Sequence, residues 1–297
     1  MFMNQFIRGT GTAIVTPFKK SGVVDEKSLR EFVEWQVKNK VEFIVPCGST
    51  GESITMTRGE RRRVIEIVFD QVNGRIPVFP GTGTSSTADS ITFTNDAKEA
   101  GADTVLVVSP AYNKPTQEGL FRHFRAIAEG CNIKVILYNV PGRTASNMVP
   151  ETVLRLAEDV KNVVAIKEAS GNLEQVMQII KYRPKNFAVL SGEDSLTLPI
   201  VTAGGDGVIS VISNEMPKEF SDMVRAALKG DIKTAQNIHY KLFELMKANF
   251  YESNPIPVKT ALSIMGKIED NFRLPLTQMT KVNKEKMKKL LKELKLI

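Results

Sequence analysis

Lys167 closes the run Asn162-Val163-Val164-Ala165-Ile166-Lys167, an apolar, β-branched strand with an amine at its tip. An ordinary lysine has a pKa near 10.4, so at pH 7 only about one in 2,500 is neutral. Where an apolar strand opens into a pocket, desolvation disfavours the ammonium and lowers that value. A shift of about three units, roughly 4 kcal/mol, yields an amine able to form a Schiff base with a carbonyl substrate. A solvated lysine just past a strand end is the plainer reading, and the groups that share its surroundings decide between the two.

Those groups follow other apolar runs. Gly48-Ser49-Thr50-Gly51 is a turn whose backbone N–H groups can bind an anion with two hydroxyls alongside, or simply turn the chain. Tyr138 offers a phenol for proton transfer beside an imine, or a buried structural ring. Arg143 can clamp a carboxylate through two parallel hydrogen bonds, or lie solvated in its loop. Glu52 is expected to brace the turn rather than move protons. His123 and His239, the two histidines, fall in helical patterns, which leaves little for a histidine triad or a histidine metal site. Neither Gly9-Thr10-Gly11 nor Gly81-Thr82-Gly83 completes a dinucleotide fingerprint, and no phosphate-binding loop of the Walker type occurs. The chemistry that remains is a lysine imine with no cofactor and no metal.

The elements that must position these residues recur regularly. Apolar runs at 12–16, 42–47, 77–81, 103–109, 134–139, 163–167, 188–191 and 207–211 read as eight strands, with helical patterns between them. Asp25 precedes Leu29, Phe32, Val33 and Val37 at helical spacing, and Ser86-Thr87-Ala88-Asp89 fits a capping box. Gly101 and the Gly204-Gly205 pair supply helix stops before the next strands. Eight near-continuously apolar strands alternating with helices predict a (β/α)8 TIM barrel over 1–230, a doubly wound sheet being the alternative. Residues 231–297 read as a small helical appendix, with Asn254-Pro255-Ile256-Pro257 as a turn between two of its helices. In such a barrel chemistry collects where strands end. Ser49, Thr50, Tyr112, Tyr138, Arg143, Lys167 and Gly192 all follow or close a strand. That convergence favours the reactive reading of Lys167.

The 297-residue chain is 42% hydrophobic and 25% charged, ordinary for a globular protein with a sizeable core. Its net charge of +7 is concentrated at the end: seven lysines against Glu285 and Glu293 over 281–297 give +5, leaving about +2 for the rest. Met287, Leu290, Leu291 and Leu294 share one face of that segment, so it reads as an amphipathic helix with a solvated basic face. No aromatic residues interleave with the lysines, which argues against nucleic acid, although an anionic partner is the other reading. No stretch approaches the roughly 20 apolar residues of a membrane span. Met1–Thr10 carries no export signal, and Cys47 and Cys131 read as reduced thiols, so a cytoplasmic location is expected.

Together Gly48-Ser-Thr-Gly-Glu52, Tyr138-Asn-Val-Pro-Gly-Arg-Thr144 and Ile166-Lys-Glu-Ala169 resemble the Schiff-base, pyruvate-dependent aldolases of the dihydrodipicolinate synthase and N-acetylneuraminate lyase superfamily. The resemblance spans essentially the whole chain, and Arg143 with Tyr112-Asn113 is similar to its synthase branch. It implies condensation of pyruvate with L-aspartate-4-semialdehyde on the route to lysine, with sugar-acid aldol chemistry as the alternative and an inert binding barrel as a distant third. It further implies Lys167 as the imine residue and the Ser49/Thr50 turn as the seat of pyruvate's carboxylate. Tyr138, Ser49 and a Tyr112 from the adjacent subunit form the implied proton relay, and Arg143 holds the semialdehyde carboxylate. Gly192 and Ile209 line the pyruvate end, in a homo-oligomer built as a tetramer, a dimer of dimers. Ser49 departs from the threonine usual in synthases. Ala111, Ser85 and Asp89 stand where lysine-inhibited members carry an aromatic, an asparagine and a glutamate, which implies weak or absent feedback by lysine.

Overall fold

The computed structural model describes residues 7–297; the first six positions of the N-terminal reading fall outside it. Seven strands alternate with helices: β1 (Gly9–Ala13), β2 (Phe43–Val45), β3 (Thr104–Val108), β4 (Lys134–Asn139), β5 (Val163–Glu168), β6 (Ala188–Ser191) and β7 (Gly207–Ser210). The helices between them are α1 (Glu26–Lys38), α2 (Arg58–Val72), α3 (Thr87–Glu99), α4 (Gln117–Cys131), the single turn α5 (Pro141–Thr144), α6 (Pro150–Asp159), α7 (Leu173–Tyr182) and α8 (Thr197–Thr202). Helices α9 (Pro217–Leu228), α10 (Ile232–Ala248), α11 (Ile256–Ile264) and α12 (Lys281–Glu293) complete the chain. The strands pair in the order β2-β1-β7-β6-β5-β4-β3, and every pair is parallel.

The eighth stave is the expected strand at 77–81, which makes only two parallel bridges, Val78 to Ile44 and Gly81 to Leu106. Pro77 and Pro80 have no N–H, so this segment cannot donate at every ladder position. Their carbonyls still accept from Ile44 N (3.1 Å) and Leu106 N (2.8 Å), while Phe79 N and Gly81 N donate to Ile44 O and Pro46 O. The segment therefore closes the gap between β2 and β3, and the sheet is a (β/α)8 barrel. The first strand also differs from expectation: it is Gly9–Ala13, not 12–16. Its run Gly-Thr-Gly-Thr-Ala hides the strand because the side chain that fills the space is borrowed. A Cβ on Gly11 would sit 1.9 Å from the Phe43 ring, which occupies the barrel interior.

Helix starts follow local chemistry. Asp25 caps α1 through Ser28 N, and Thr57 with Glu60 forms a full capping box on α2. Only half of the expected box at Ser86 is made. Its hydroxyl accepts from Asp89 N, but its own N–H donates to Thr84 Oγ1. Gly101 and Gly204 take left-handed φ values of 109° and 108° where α3 and α8 end.

Apolar faces of α1 to α4, α6 and α7 pack on the strands' outer surface, and Val258 and Leu262 of α11 join that same cluster. On the basic helix α12, Met287 and Leu291 are buried, and Leu290 and Leu294 pack against the cluster around α9 and α10. Cys47 and Cys131 are buried free thiols. Among the described residues no helix is long and apolar enough to cross a membrane.

One buried contact ties α11 to the barrel rim. Lys259 Nζ lies 2.5 Å from Glu52 Oε1, with both side chains sealed from solvent and the ammonium 4.5 Å from the Phe18 ring centroid. Removing one member of such a pair strands the other charge, typically at a cost of about 3–5 kcal/mol. Lys259→Ala is thus expected to lower the urea midpoint substantially. Lys218→Ala, which breaks an exposed pair with Asp222, should leave it nearly unchanged.

Candidate active site

Register places Tyr138 and Lys167 side by side. Tyr138 on β4 pairs with Lys167 on β5, so both side chains enter the barrel interior at the strands' C-terminal ends. Lys167 is 6% exposed, and its Nζ stands 4.3 Å from the centroid of the Tyr138 ring. Burial lowers its pKa to about 8; Asp194 and Glu193 partly oppose the shift and Arg143 adds to it. Burial likewise pushes the Tyr138 phenol up to about 12, against the pull of Arg143 and of the neighbouring Ser49 hydroxyl, with Glu193 adding to the shift. At neutral pH the pair is a protonated phenol beside an amine of which roughly one in ten is neutral.

The next residue on each strand points the other way. Asn139 Nδ2 donates to Glu168 Oε2 at 3.0 Å, and Glu168 also accepts from Gln175 Nε2 (2.9 Å) and Ser170 N (2.7 Å). Asn147 closes this outer network onto Asn139 and Gln175. A fully satisfied buried network holds its members in one geometry, which here fixes the strand ends that carry Tyr138 and Lys167.

Both side chains open into a cavity of about 370 Å³, within the usual range for small-ligand sites. Gly48, Ser49 and Thr50 form one side. In their turn Gly51 N and Glu52 N donate back to the Gly48 and Ser49 carbonyls, whereas Ser49 N and Thr50 N have no acceptor among the described residues. Two free N–H groups flanked by hydroxyls suit a carboxylate. Glu52, with φ at 54°, ends the turn and is pinned by Lys259, the bracing role expected of it. Arg143, on α5 directly after β4, lines the mouth, and its Nη2 donates to Asn254 O at 3.2 Å. Gly192 lies against Lys167: a Cβ there would come within 2.6 Å of Ala169 Cβ and 3.0 Å of Lys167 Cε.

Two expected residues lie elsewhere. Ile209 is fully buried in the barrel-interior cluster and does not line the cavity. Tyr112 is 95% exposed on the loop before α4, outside the cavity of its own chain, with φ at 73°. His123 and His239 remain in α4 and α10, away from the cavity.

The fourth side comes from a segment that sequence reading treated only as a turn. Phe250, Glu252, Ser253 and Asn254, between α10 and α11, close over the mouth. Asn254 Nδ2 donates to Thr50 Oγ1 at 3.0 Å while its carbonyl accepts from Arg143, so one residue spans the anion turn and the arginine. The Asn-Pro-Ile-Pro punctuation marks a bend, but no local signal says what the bend covers. Asp194, two residues after Gly192 at the end of β6, carries no role in the sequence reading. Its Oδ2 accepts from Val211 N (3.0 Å) and Ile212 N (2.8 Å), joining the end of β6 to the loop after β7.

Gly192→Ala is expected to fold but to displace the Lys167 side chain, cutting the rate of covalent adduct formation with a 2-oxoacid by about tenfold or more, since about 1 Å of misplacement can cost a hundredfold. An unchanged rate of borohydride-trapped adduct would show that Lys167 does not need this gap.

Comparison with known proteins agrees with the geometry. The chain matches the Dihydrodipicolinate synthetase family over residues 7–294. A 4-hydroxy-tetrahydrodipicolinate synthase from Geotalea daltonii is 53% identical over 98% of this chain and 99% of its own. A solved dihydrodipicolinate synthase from Aquifex aeolicus is 46% identical, covers 97% of this chain and 98% of its own, and superposes with a TM-score of 0.95. Another, the chloride-inhibited enzyme of Acinetobacter baumannii solved in complex with pyruvate, is 43% identical over 98% of this chain and 100% of its own, with a TM-score of 0.96. The barrel, its rim of lysine, tyrosine and arginine, and these likenesses over nearly the full length place the chain in the dihydrodipicolinate synthetase family.

Proposed function

We propose that the chain is a 4-hydroxy-tetrahydrodipicolinate synthase, a lyase of lysine biosynthesis that condenses pyruvate with L-aspartate-4-semialdehyde through an imine on Lys167. The observation that carries this reading is a buried amine at about 8, beside a phenol and opposite two free backbone N–H groups. Full-length likeness to synthases supports the choice of substrates.

Pyruvate's carboxylate docks on the Ser49/Thr50 turn, which presents its C2 carbonyl to Lys167. The neutral amine attacks C2, and the carbinolamine loses water to give the iminium. Tyr138, relayed through Ser49, supplies the proton that lets hydroxide leave as water and later receives one from the methyl carbon. The resulting enamine attacks the aldehyde carbon of the semialdehyde, whose carboxylate Arg143 holds, and the new alkoxide takes the proton that Tyr138 received from the methyl carbon. Tyr138, left as the phenolate, takes a proton from the substrate's ammonium, the freed amine attacks C2 of the iminium, and its surplus proton passes to the Lys167 nitrogen. The C2–N bond to Lys167 breaks, the ring closes, and the lysine is released.

Gly192 leaves room for the imine, and Ile209 supports the pyruvate end from beneath. A homo-oligomer completes the site: the exposure of Tyr112 supports its entry into the relay of a neighbouring subunit in a tetramer built as a dimer of dimers. The barrel to residue 230 is the catalytic unit, and 231–297 is a helical appendix that walls the cavity. Two buried free thiols suit a cytoplasmic enzyme.

Incubation with pyruvate and borohydride is expected to leave a permanent adduct on the peptide bearing Lys167, absent from Lys167→Ala. Its rate should rise with pH as the amine deprotonates, reaching half its maximum near pH 8 and levelling off about one unit higher; a midpoint above about pH 10 would mean an ordinary lysine. Turnover with L-aspartate-4-semialdehyde should far exceed cleavage of N-acetylneuraminate or 2-keto-3-deoxygluconate, and preferential cleavage of a sugar acid would sink the assignment. Submillimolar lysine is expected to inhibit weakly or not at all. Ser85 and Ala111 lack the amide and the ring, and Asp89 holds its carboxylate one methylene shorter than the glutamate, that the resemblance places in lysine-inhibited members, and Ser85 Oγ is already bonded to Ala111 O.

A further inference from the structure

Four charged side chains line the cavity: Lys167, Arg143, Glu252 and Glu193. The two cations have work in the proposed reaction, and one of the carboxylates is already committed. Glu252 Oε1 accepts from Thr280 N (3.0 Å), Thr280 Oγ1 (2.7 Å) and Asn283 Nδ2 (2.9 Å), so it caps α12. Asp194, next to Glu193, is turned into the rim and spends Oδ2 on two backbone donors. Glu193 differs from both. Its backbone is held on each side, its N–H donating to Ser191 Oγ and its carbonyl accepting from Ser191 Oγ and Thr197 Oγ1. Its carboxylate has no hydrogen-bond donor and no ion-pair partner among the described residues.

We propose that Glu193 binds the α-ammonium of the acceptor aldehyde and so selects an amino-acid aldehyde over one that lacks nitrogen. The inference rests on the function proposed above. An α-amino acid end carries a carboxylate and an ammonium on one carbon, and the cavity offers Arg143 for the first and Glu193 for the second. A half-buried carboxylate with no cation in contact is costly until one arrives, and burial accordingly pushes Glu193 up to about 7, with neighbouring Asp194 adding to the shift and Lys167 opposing it. Formation of the neutral enamine removes the ammonium charge of Lys167 from the cavity. The acceptor's ammonium then supplies the cation that Glu193 has lost, which favours acceptor binding after pyruvate. Glu193 and Lys167 line the same cavity, so an amine docked on Glu193 is held in the space where the iminium carbon forms.

The test uses the full chain, pyruvate and two acceptors: L-aspartate-4-semialdehyde, and succinic semialdehyde, the same aldehyde with hydrogen in place of the amino group. The readout is the ratio of kcat/KM for the two acceptors, from pyruvate consumption, with water hydrolysing the Lys167 iminium of the succinic semialdehyde adduct in place of the missing amine; this ratio does not depend on how much of a variant is folded. Sites that bind a substrate N–H discriminate strongly against analogues lacking it. The ratio is therefore expected to fall by about tenfold or more in Glu193→Gln, chiefly through KM for the amino aldehyde, and by less in Glu193→Asp, which keeps the charge. Trapping of pyruvate by Glu193→Gln reports the first half-reaction separately. A Glu193→Gln ratio within about threefold of wild type, with both acceptors equally slowed or neither, would overturn the proposal and assign Glu193 to Lys167 alone. Wild-type enzyme inactive toward both aldehydes would instead defeat the function from which the inference starts.

Discussion

Burying the Lys167 amine at an apolar barrel mouth disfavours its charged form, and most of the site follows from that constraint. A strand inside a closed parallel sheet can carry an amine into a dry interior, which a surface loop cannot. The amine must then have space, which Gly192 provides by lacking a side chain. It must also keep enough positive charge to be tolerated when protonated, and Asp194 and Glu193 supply the balancing field while the Tyr138 ring lies beneath the nitrogen. Burial alone would lower the lysine further; carboxylates alone would return it to an inert ammonium. Together they leave it at about 8, where a useful fraction is nucleophilic near neutrality.

The period of two along a strand lets the same short segments do two jobs. Tyr138 and Lys167 face the cavity, while Asn139 and Glu168 face the helices and lock to each other and to Gln175. Because these positions are adjacent in register, the outer network sets the separation of the inner pair. Rigid elements bearing the reacting groups, with flexible substrates brought to them, is the arrangement that preorganised chemistry requires.

The helices beyond the barrel are part of the same device. Lys259 on α11 pins Glu52 at the end of the anion turn, and Asn254 bridges Thr50 and Arg143. The separation of the Ser49-Thr50 turn and Arg143 is thus set by a residue 204 positions from Thr50 and 111 from Arg143 in sequence. Glu252, in the same bend, fixes the start of α12, so the basic terminal helix is anchored at the cavity mouth. Its lysines face solvent while Met287 and Leu291 dock, as amphipathic spacing alone implies.

How much was legible varied with the range of the forces involved. The strand carrying Lys167, the helix caps at Asp25 and Thr57, and the stops at Gly101 and Gly204 arise from bonds within a few residues, so local spacing reveals them. β1 was misplaced because Gly11 is shaped by Phe43, a neighbour across the sheet, and the stave at 77–81 lost its ladder to two prolines while keeping its place in the barrel. Ser49, Thr50, Tyr138, Arg143, Lys167 and Gly192 could be drawn toward one rim from strand order alone, since parallel strands end on one side. By itself the sequence determined the alternation of elements, the barrel and the groups at its rim. Only the tertiary structure decided that Ile209 is buried in the barrel interior outside the cavity lining, that Tyr112 is exposed outside its own chain's cavity, and that Asn254 and Glu193 line it. Those outcomes depend on contacts between residues distant in sequence, and such packing leaves no periodicity for the sequence to display.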